Sequence, residues 1–443
     1  MQTDAPKVAI IGLGYVGLTL GVALARRGVM VFGIEKRADV VAMTNQGKPH
    51  FSELGLETAL HWALTSGKFV ASQTTQHVPP CDYYIITVGT PLRPGTREPR
   101  LDMIEHASGE VADHMADGAA VILRSTVQIG TTRGVVLPRL EASGKSFHLS
   151  MCPERTLEGD ALRELVTLPQ IIGGMSGKAA DLAVCLFSRL TQTVVRVADP
   201  ETAEMIKLVD NTSRDVRFAF ANEVARACDA IGVNANDVIR FGKFGYPRTD
   251  VAMPGLVGGP CLEKDPHILL ASLAGHGCDL EITAASRQVN ERQPEETVSA
   301  ILAKLRERSA GPYKVAVAGI AFKGRPETDD LRGAMSLQVI ERLAQSGACS
   351  EIRVYDEVVE NSLLSRLDHD LLPAENLTQA CEGADVLIIA NNHPAFETLD
   401  LAQLLGKMAA GAFVYDYWNN LSQLPDEMLI GRYFTVGNHA GKY

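Results

Sequence analysis

The chain has 443 residues, more than one hydrophobic core usually organises, so two or three domains are expected. Hydrophobic residues make up 46% of the chain and charged residues 21%, as in ordinary globular proteins, and no apolar run approaches the roughly 18 residues that a membrane-spanning helix needs. The formal net charge is −11 and basic runs are lacking, which argues against nucleic acid or an anionic membrane as the main partner.

The cysteines indicate the redox compartment. Eight are scattered along the chain without a Cys-x-x-Cys pair, at positions 81, 152, 185, 228, 261, 278, 349 and 381. This pattern predicts neither a disulfide framework nor a zinc site. The N-terminal residues MQTDAPK lack the pattern of a signal peptide. We therefore expect a cytoplasmic protein with reduced thiols and no bound metal.

The first predicted βαβ unit contains a glycine-rich turn. An apolar strand at 8–11 leads into Gly12-Leu-Gly14-Tyr15-Val16-Gly17 and an alanine-rich helix, and a second strand at 29–34 ends in Glu35. In this setting the G-x-G-x-x-G spacing predicts dinucleotide binding, because the glycines let a pyrophosphate approach the helix N-terminus. Glu35 can bind both ribose hydroxyls and repels a 2′-phosphate, which favours NAD over NADP, although Lys36 and Arg37 follow it.

Two further predicted strands, at 83–88 and 119–123, end in loops that carry Thr90, Ser125 and Thr126. Ligands of doubly wound sheets bind at the carboxyl ends of strands, so we expect these hydroxyls to face the cofactor. The alternative is that they cap the helices that follow. A carboxylate and an arginine, Glu154 and Arg155, come after another strand and are expected at the same sheet edge.

Residues 202–231 contain neither glycine nor proline, which predicts a helix of about 45 Å. Lys207, Asn211 and Arg214 are spaced i, i+4 and i+7 and therefore share a face. A helix so long, with a wide apolar remainder, is expected to link two domains and to pack against a second subunit, in a homodimer or a higher homo-oligomer.

The stretch PGLVGGPCLEKDPHILL, residues 254–270, holds Cys261 behind a run of glycines and prolines that predicts irregular structure. Asp265 and Pro266 resemble the N-cap and first residue of an apolar helix. A thiol just ahead of a helix N-terminus favours the thiolate, so Cys261 is a candidate nucleophile. The alternative is a structural cysteine beside a turn.

A second α/β pattern begins at Lys314, and its later part repeats the first. CDYYIITVGTP at 81–91 is matched by ADVLIIANNHP at 384–394, and GAAVILRST at 118–126 by GAFVYDYWN at 411–419. The turn after the first strand, Gly319-Ile-Ala-Phe322-Lys323-Gly324, lacks the dinucleotide spacing. It predicts a different nucleotide, with Lys323 and Arg332 placed for phosphate.

Together these stretches resemble the nucleotide-sugar dehydrogenase family, of the UDP-glucose/GDP-mannose type. The resemblance covers nearly the whole chain and rests on six motifs: GLGYVGL at 12–18, STVQIGTT at 125–132, CPERTLEGDAL at 152–162, AEMIKLVDNTSRD at 203–215, GGPCLEKD at 258–265 and AFKGRPETDDLR at 321–332. It implies two Rossmann-like doubly wound α/β domains joined by a long helix in the dimer interface. The expected domains are an NAD-binding domain at 1–200, a central helical dimerisation domain at 201–300 and a UDP-sugar-binding domain at 313–443.

The resemblance also implies a four-electron oxidation of a sugar C6 alcohol by two NAD⁺, through a thiohemiacetal and a thioester on Cys261. Lys207 and Asn211 would stabilise the oxyanion, Asp265 and Thr126 would hold a water for proton transfer, and Glu154 would assist hydrolysis. The implied cofactor-binding residues are Gly12, Gly14, Tyr15, Val16, Gly17, Glu35, Arg37, Thr90, Ser125, Thr126 and Arg332. The implied substrate-binding residues are Arg155, Thr156, Lys207, Asn211, Arg214, Tyr246, Arg248 (from the neighbouring subunit), Gly258, Gly259, Phe322 and Lys323.

The motif CPERTLEGDAL is similar to the corresponding segment of the family branch that oxidises UDP-N-acetylmannosamine for surface polysaccharide synthesis. Pro260 and Tyr246 stand where that branch commonly has histidine, so UDP-N-acetylglucosamine and UDP-glucose stay open as substrates. A two-electron NAD-dependent dehydrogenase, which has no use for Cys261, is the alternative from another class. A catalytically silent NAD-binding protein would leave the lysine, asparagine, cysteine and aspartate together unexplained.

Overall fold

A computed structural model describes residues 5–367 and 370–443. By packing, the chain divides into two compact units. The first comprises Met1–Asn211 and His267–Asp279, and the second comprises Thr212–Pro266 and Leu280–Tyr443. Each unit is built around one predominantly parallel β-sheet.

The first unit contains an eight-stranded sheet in the order β3-β2-β1-β4-β5-β6-β7-β8. All neighbours are parallel except β6 and β7. The strands are β1 Lys7–Ile11, β2 Met30–Ile34, β3 Phe69–Ser72, β4 Tyr83–Ile86, β5 Ala119–Leu123, β6 Phe147–Met151, β7 Gln170–Gly174 and β8 Val194–Val197. The first helices are α1 Tyr15–Arg26, α2 Ala38–Asn45, α3 Leu56–Thr65, α4 Asp102–His114, α5 Leu137–Glu141, α6 Ala161–Thr167 and α7 Gly177–Phe187.

The next five helices are all assigned at least partly to the second unit. The helix predicted over 202–231 is α8, Pro200–Ile231, and its 32 residues confirm the long central helix. It is followed by α9 Ala235–Gly242, α10 Gly259–Leu262, α11 Asp265–Leu273 and α12 Glu281–Arg308. In the described ranges, 5–367 and 370–443, none of the helices combines the length and the apolar character that a membrane span requires.

The second unit contains a six-stranded parallel sheet in the order β11-β10-β9-β12-β13-β14. Its strands are β9 Tyr313–Ala318, β10 Cys349–Tyr355, β11 Leu371–Pro373, β12 Val386–Ile389, β13 Phe413–Asp416 and β14 Tyr433–Thr435. Its other helices are α13 Met335–Gln345, α14 Asn361–Leu364, α15 Leu377–Cys381, α16 Leu401–Lys407 and α17 Asp426–Leu429. Short 3₁₀ turns at Thr75–His77 and Pro394–Thr398 and a π-helical turn at Thr132–Val136 complete the elements.

Both sheets are covered on both faces. Along β1, Val8 and Ile10 pack into one hydrophobic cluster and the residues between and after them into another. Along β9, Val315 and Val317 alternate in the same way with their alanine neighbours. Successive residues of a strand point to opposite faces, so the near-continuous apolar runs are explained by burial on both sides.

The internal repeat in the sequence corresponds to equivalent strands. The stretches at 81–91 and 384–394 contain β4 and β12, and each of these strands lies beside the first strand of its sheet, β1 or β9. The stretches at 118–126 and 411–419 contain β5 and β13, which are the next strands in the two sheets. The two Rossmann-like domains predicted from the sequence are thereby confirmed.

Candidate active site

The glycine-rich turn between β1 and α1 has the geometry that a dinucleotide needs. Gly12 has a φ of +97°, and a β-carbon on Gly17 would overlap the carbonyl oxygen of Gly12. A β-carbon on Gly14 would meet nothing within 4 Å, so this position is open to a ligand. Helix α1 has neither a side-chain N-cap nor an acidic residue in its first turn, which contains Val16. The turn therefore fits a pyrophosphate at the helix N-terminus.

Glu35 follows β2 and faces this turn. Its Oε2 accepts a hydrogen bond from the amide of Leu13 at 3.1 Å, and its Oε1 accepts one from the amide of Arg37 at 3.0 Å. Each oxygen retains capacity for a ribose hydroxyl. The Arg37 guanidinium is bound to Asp39, with its shortest contact at 2.5 Å.

Tyr15 connects the glycine-rich turn to the loop after β6. Its hydroxyl bonds to Glu53, and both groups accept the amide of Gly159, each at 2.7 Å. The other Glu53 oxygen accepts the amide of Ala161 at 2.8 Å. Burial and the neighbouring carboxylate raise the pKa of Tyr15, so the phenol stays protonated as a donor.

The hydroxyls of Thr90, after β4, and of Ser125, after β5, bind backbone rather than cap helices. Thr90 donates to the carbonyl of Thr126 at 2.5 Å, and Ser125 donates to the carbonyl of Val88 at 2.6 Å. These bonds join the ends of two neighbouring strands and fix the loop in which Thr126 is half-buried.

Glu154 forms a buried ion pair with Arg124. The guanidinium donates to Oε2 at 2.7 and 3.0 Å, while Oε1 accepts the amides of Arg155 and Thr156 at 2.7 and 2.9 Å. Burial raises the pKa of Glu154, but Arg124 and the amide bonds outweigh it, so the pKa lies below its usual value. Glu154 is therefore a carboxylate that keeps its charge and organises its loop.

The same loop contacts the first part of α8. The Arg155 guanidinium lies 3.2 Å from the carboxylate of Asp210. Lys207, one turn before Asp210, and Asn211, directly after it, are buried, with 8% and 6% of their surface exposed. In the part of the chain that the structure describes, the Lys207 side chain makes no hydrogen bond or ion pair.

In the second unit, Cys261 lies in the short helix α10, not in the irregular stretch that the sequence predicts. Gly259 turns the chain with a φ of +85°, and Pro260 occupies the first helical turn. The amide of Gly259 donates to the carbonyl of Gly333 at 2.7 Å. A β-carbon on Gly258 would overlap that carbonyl, and one on Gly259 would overlap the ring of Phe322. The two glycines thus hold an exposed thiol against the loop after β9.

Helix α11 includes Asp265 as its first residue, whereas the sequence placed Asp265 outside the helix as its N-cap. Its carboxylate is fully buried and bonds to the Lys264 ammonium at 2.7 Å. Oδ1 of Asp265 therefore accepts a hydrogen bond from the residue directly before it in the chain.

The predicted phosphate-binding residues follow β9. The Lys323 ammonium lies 5.3 Å from the centre of the Phe322 ring, a cation–π contact. Arg332 binds the carboxylate of Asp330 with its Nε at 2.9 Å and a terminal nitrogen at 2.5 Å. Arg332 is therefore already paired with an anion on its own loop.

Three predicted substrate residues lie on exposed surface of the second unit. Arg214 on α8 is exposed. The Arg248 guanidinium stacks on the Tyr246 ring at 4.7 Å and donates to its hydroxyl at 3.2 Å. Stacking and the hydrogen bond therefore fix the orientation of the Arg248 guanidinium relative to the Tyr246 ring.

Models of one protein family match three successive parts of the chain. They describe the UDP-glucose/GDP-mannose dehydrogenase family: its NAD binding domain over residues 6–191, its central domain over 201–292 and its UDP binding domain over 316–423. The chain belongs to the UDP-glucose/GDP-mannose dehydrogenase family. It is an NAD-dependent dehydrogenase of nucleotide sugars, and the predicted cofactor, NAD, is confirmed.

Relatives within this family cover nearly the whole chain. UDP-N-acetyl-D-mannosamine dehydrogenase of Pyrococcus horikoshii is 33% identical over 95% of this chain and 97% of its own length. NDP-N-acetyl-D-galactosaminuronic acid dehydrogenase of Ralstonia nicotianae is 31% identical over 92% and 96%. A solved structure of the UDP-D-ManNAc dehydrogenase from P. horikoshii superposes with a TM-score of 0.87 at 31% identity, covering 98% of this chain and 99% of that one.

Three residues of the candidate site were not singled out by the sequence analysis. Arg124 ends an apolar strand just before the serine and threonine of STVQIGTT, and a buried charge there was the available signal. Lys264 stands next to Asp265 in GGPCLEKD. Glu53 lies in a loop whose sequence carries no pattern that would mark it.

Proposed function

We propose that this dehydrogenase oxidises the C6 alcohol of a UDP-sugar to the carboxylate in two steps, with Cys261 as the covalent nucleophile. The observation that carries the proposal is an exposed thiol held by two glycines against the loop after β9, within the matched UDP binding domain. By contrast, burial raises the pKa of Cys81, Cys152 and Cys381 to about 12, which keeps those thiols protonated and unreactive.

In this mechanism the first oxidation converts the alcohol to an aldehyde. The Cys261 thiolate adds to the aldehyde carbon to give a thiohemiacetal, whose carbon then loses a hydride to leave a thioester. Water attacks the thioester, and the carboxylate leaves as the thiol is restored. Bound NAD⁺ supplies the hydride acceptor for each oxidation. The overall change is one alcohol, two NAD⁺ and one water to one carboxylate, two NADH and three protons.

Lys207 and Asn211 would stabilise the oxyanion that forms when the aldehyde or thioester carbonyl is attacked. The Lys207 side chain is largely buried and, among the described residues, holds no carboxylate, so its ammonium is suited to receive a developing negative charge. Asp265 and Thr126 would hold the water used in proton transfer. With its lowered pKa, Glu154 is a weak base, so it would assist hydrolysis by holding Arg155 and Thr156 in place.

We propose UDP-N-acetyl-D-mannosamine as the substrate and surface polysaccharide synthesis as the pathway served. The names of the relatives from P. horikoshii and R. nicotianae both specify N-acetylated sugars, which supports this class of substrate. UDP-N-acetylglucosamine and UDP-glucose are the alternatives, because Pro260 and Tyr246 stand where histidines are common in the mannosamine branch.

The test is a panel of these UDP-sugars with NAD⁺, recording NADH formed per sugar consumed. We expect two NADH per UDP-N-acetylmannosamine and no free aldehyde. Cys261→Ser should nearly abolish turnover of the alcohol to the carboxylate while NAD⁺ and UDP-sugar affinities stay within a few fold, since the hydroxyl is a poor nucleophile at pH 7. A wild-type ratio of one, with trapped aldehyde, would place the protein among two-electron dehydrogenases.

We further propose that the active unit is at least a dimer, in which Arg248 reaches the substrate of the neighbouring subunit. The exposed Tyr246–Arg248 pair and exposed apolar residues on α8 and α9, including Phe220 and Phe241, support such an interface. Mixing inactive Cys261→Ser with inactive Arg248→Ala should restore about a quarter of the wild-type activity, because half the dimers are mixed and half their sites are intact. No recovery despite demonstrated subunit exchange would contradict the shared site.

A further inference from the structure

We infer that Asn222 on α8 is a positioning residue for Cys261, and that it is needed chiefly for the second oxidation. The inference rests on the proposed covalent mechanism. Asn222 lies in the second unit, 2% exposed, and its side-chain amide pairs with the backbone of Gly255, six residues before the cysteine. Its Oδ1 accepts the amide of Gly255 at 2.9 Å, and its Nδ2 donates to the carbonyl of Gly255 at 3.1 Å.

This two-point contact requires an asparagine in one orientation. The second hydrogen of Nδ2 is donated to Oδ1 of Asn290 at 3.0 Å. The Asn290 amide in turn donates to the carbonyl and the carboxylate of Asp215, at 3.1 and 2.9 Å. Every donor and acceptor of the Asn222 amide is used, so exchanging its oxygen and nitrogen would break all three contacts.

The buried ion pair between Asp215 and Arg287 lies at the end of this hydrogen-bond network that is distant from Gly255. Asp215 is fully buried, accepts from Arg287 at 2.6 Å and from Ser286 at 3.0 Å, and therefore holds Asn290 in place. The network joins α8 to α12 and ends at Gly255. Within the described residues the Nε of Arg287 has no hydrogen-bond partner, but both Nδ2 hydrogens and Oδ1 of Asn222 and of Asn290 are used. Buried amides bonded in this way favour one arrangement of the groups they contact.

The segment that carries Cys261 is thus held at two points. At Gly255 it is fixed by Asn222, with the Trp418 ring so close that an added β-carbon would lie 3.2 Å from it. At Gly258 and Gly259 it is fixed by Gly333 and Phe322. Between the two points Leu256 and Val257 are buried. Releasing the first point leaves the thiol attached by the second alone.

The two oxidations depend differently on this placement. Oxidation of the alcohol removes a hydride and a proton and does not involve sulfur. Oxidation of the aldehyde requires a C–S bond first, so it responds to the position of the thiol. Loosening the segment should therefore slow the second step more than the first, and aldehyde should escape.

The experiment compares Asn222→Ala with Ser286→Ala. Ser286 belongs to the same buried network and lies apart from Gly255, so its loss tests the stability of the network without removing the contact to the segment. We measure NADH per UDP-N-acetylmannosamine consumed, aldehyde trapped by a hydroxylamine, and the melting temperature. For Asn222→Ala we expect the NADH ratio to fall from two toward one, trapped aldehyde to appear, and kcat for added aldehyde to drop at least tenfold, with KM for the UDP-sugar within about threefold. Ser286→Ala should keep a ratio of two at whatever melting temperature it has.

Asn222→Asp is the second variant, because it has nearly the same shape and still accepts the Gly255 amide, but it sets an oxygen against the carbonyl of Gly255 and Oδ1 of Asn290 in place of the two donated bonds. It should also lower the NADH ratio below two. Ratios of two in both Asn222 variants, or an equal fall in Ser286→Ala, would overturn the inference. A wild-type ratio of one would instead remove the covalent mechanism on which it rests, so the two failures are distinguishable.

Discussion

Glu35 and Asp356 follow equivalent strands, β2 and β10, in the two sheets, yet they bind their glycine turns differently. Glu35 takes one amide hydrogen bond on each oxygen, from Leu13 and Arg37, and is half-buried. Helix α1 begins at Tyr15, directly behind the turn. The first unit therefore leaves both a carboxylate and a helix N-terminus accessible to a dinucleotide.

Asp356 is saturated by backbone. Its Oδ2 accepts the amides of Ile320 and Ala321 at 2.6 and 2.9 Å, and its Oδ1 accepts those of Val358 and Val359 at 2.8 and 3.0 Å. Helix α13 begins only at Met335, after a long loop. An acid one methylene shorter closes onto its own turn, so we expect the intervening loop to provide the ligand contacts instead. This explains how one strand order supports an NAD binding domain and a UDP binding domain.

A second pair of carboxylates shows the same contrast. Glu154 in the first unit is buried beside a cation, and its pKa is lowered. Asp416 at the end of β13 is buried among neutral donors, including the Tyr433 hydroxyl at 2.7 Å, and burial raises its pKa to about 6. Whether a buried acid has a cation beside it decides the direction of its shift.

The largest expected effect comes from Glu154→Gln, which leaves the Arg124 guanidinium buried without a counter-ion. We expect unfolding free energy to fall by about 3–5 kcal/mol at pH 7. Because the folded pKa of Glu154 is depressed, its stabilisation is present above the unfolded pKa and is lost as pH falls through the folded value. The difference from wild type should therefore shrink on acidification below about pH 4.5. Urea unfolding at pH 4 to 7.5 measures it.

Asp416→Asn is the matched control, with the opposite trend. The folded pKa of Asp416 is raised, so the stability it confers is present below its unfolded pKa of about 4 and is lost as pH rises to about 6. Its difference from wild type should be larger at pH 4 than at pH 7, by up to about 3 kcal/mol. If the stability difference from wild type changed with pH in the same direction for both variants, the claim that a neighbouring cation decides the direction of the pKa shift would be contradicted.

A smaller effect is expected for cofactor choice. Wild type should prefer NAD⁺ over NADP⁺ by about two orders of magnitude in kcat/KM, since Glu35 repels a 2′-phosphate. Glu35→Ser should lower the ratio of kcat/KM for NAD⁺ to that for NADP⁺ about tenfold. Adding Asp39→Asn should lower this ratio further, because Arg37 is then released from Asp39 and can bind the 2′-phosphate. Asp356→Asn is the control and should leave the preference within about twofold. Equal use of both cofactors by wild type would show that Glu35 does not contact the ribose.

Strands and turns were predictable where the signal is local. The apolar run at 119–123 has the bounds of β5, and the strand predicted at 8–11 differs from β1 by one residue. Short apolar runs flanked by glycine and polar residues specify buried strands without help from distant contacts. The repeat at 81–91 and 384–394 located β4 and β12 for the same reason.

Side-chain partners were not predictable, because they depend on residues far apart in the chain. Glu154 was singled out as a carboxylate, but its low pKa comes from Arg124, thirty positions earlier. The assignment of Tyr15 to the cofactor stays a prediction, and its bonds to Glu53 and Gly159, which the sequence did not indicate, join segments brought close only by the fold. The helix around Cys261 depends on Gly259 packing on the loop at 322–333, a contact that no local pattern encodes.

That contact sets rules for building chimeric enzymes. The matched UDP binding domain begins at residue 316, but Gly258 and Gly259 fit against Phe322 and Gly333 with no room for a β-carbon. Gly437, beyond the matched region, fits in the same way against Ala225 and Ala235. Exchanging residues 316–423 alone with those of a relative would set a foreign surface against the cysteine turn and α8. A transplant that changes the sugar accepted should therefore carry residues 212–266 and 280–443 together, so that Cys261, the proposed nucleophile, is transferred with the domain that holds it.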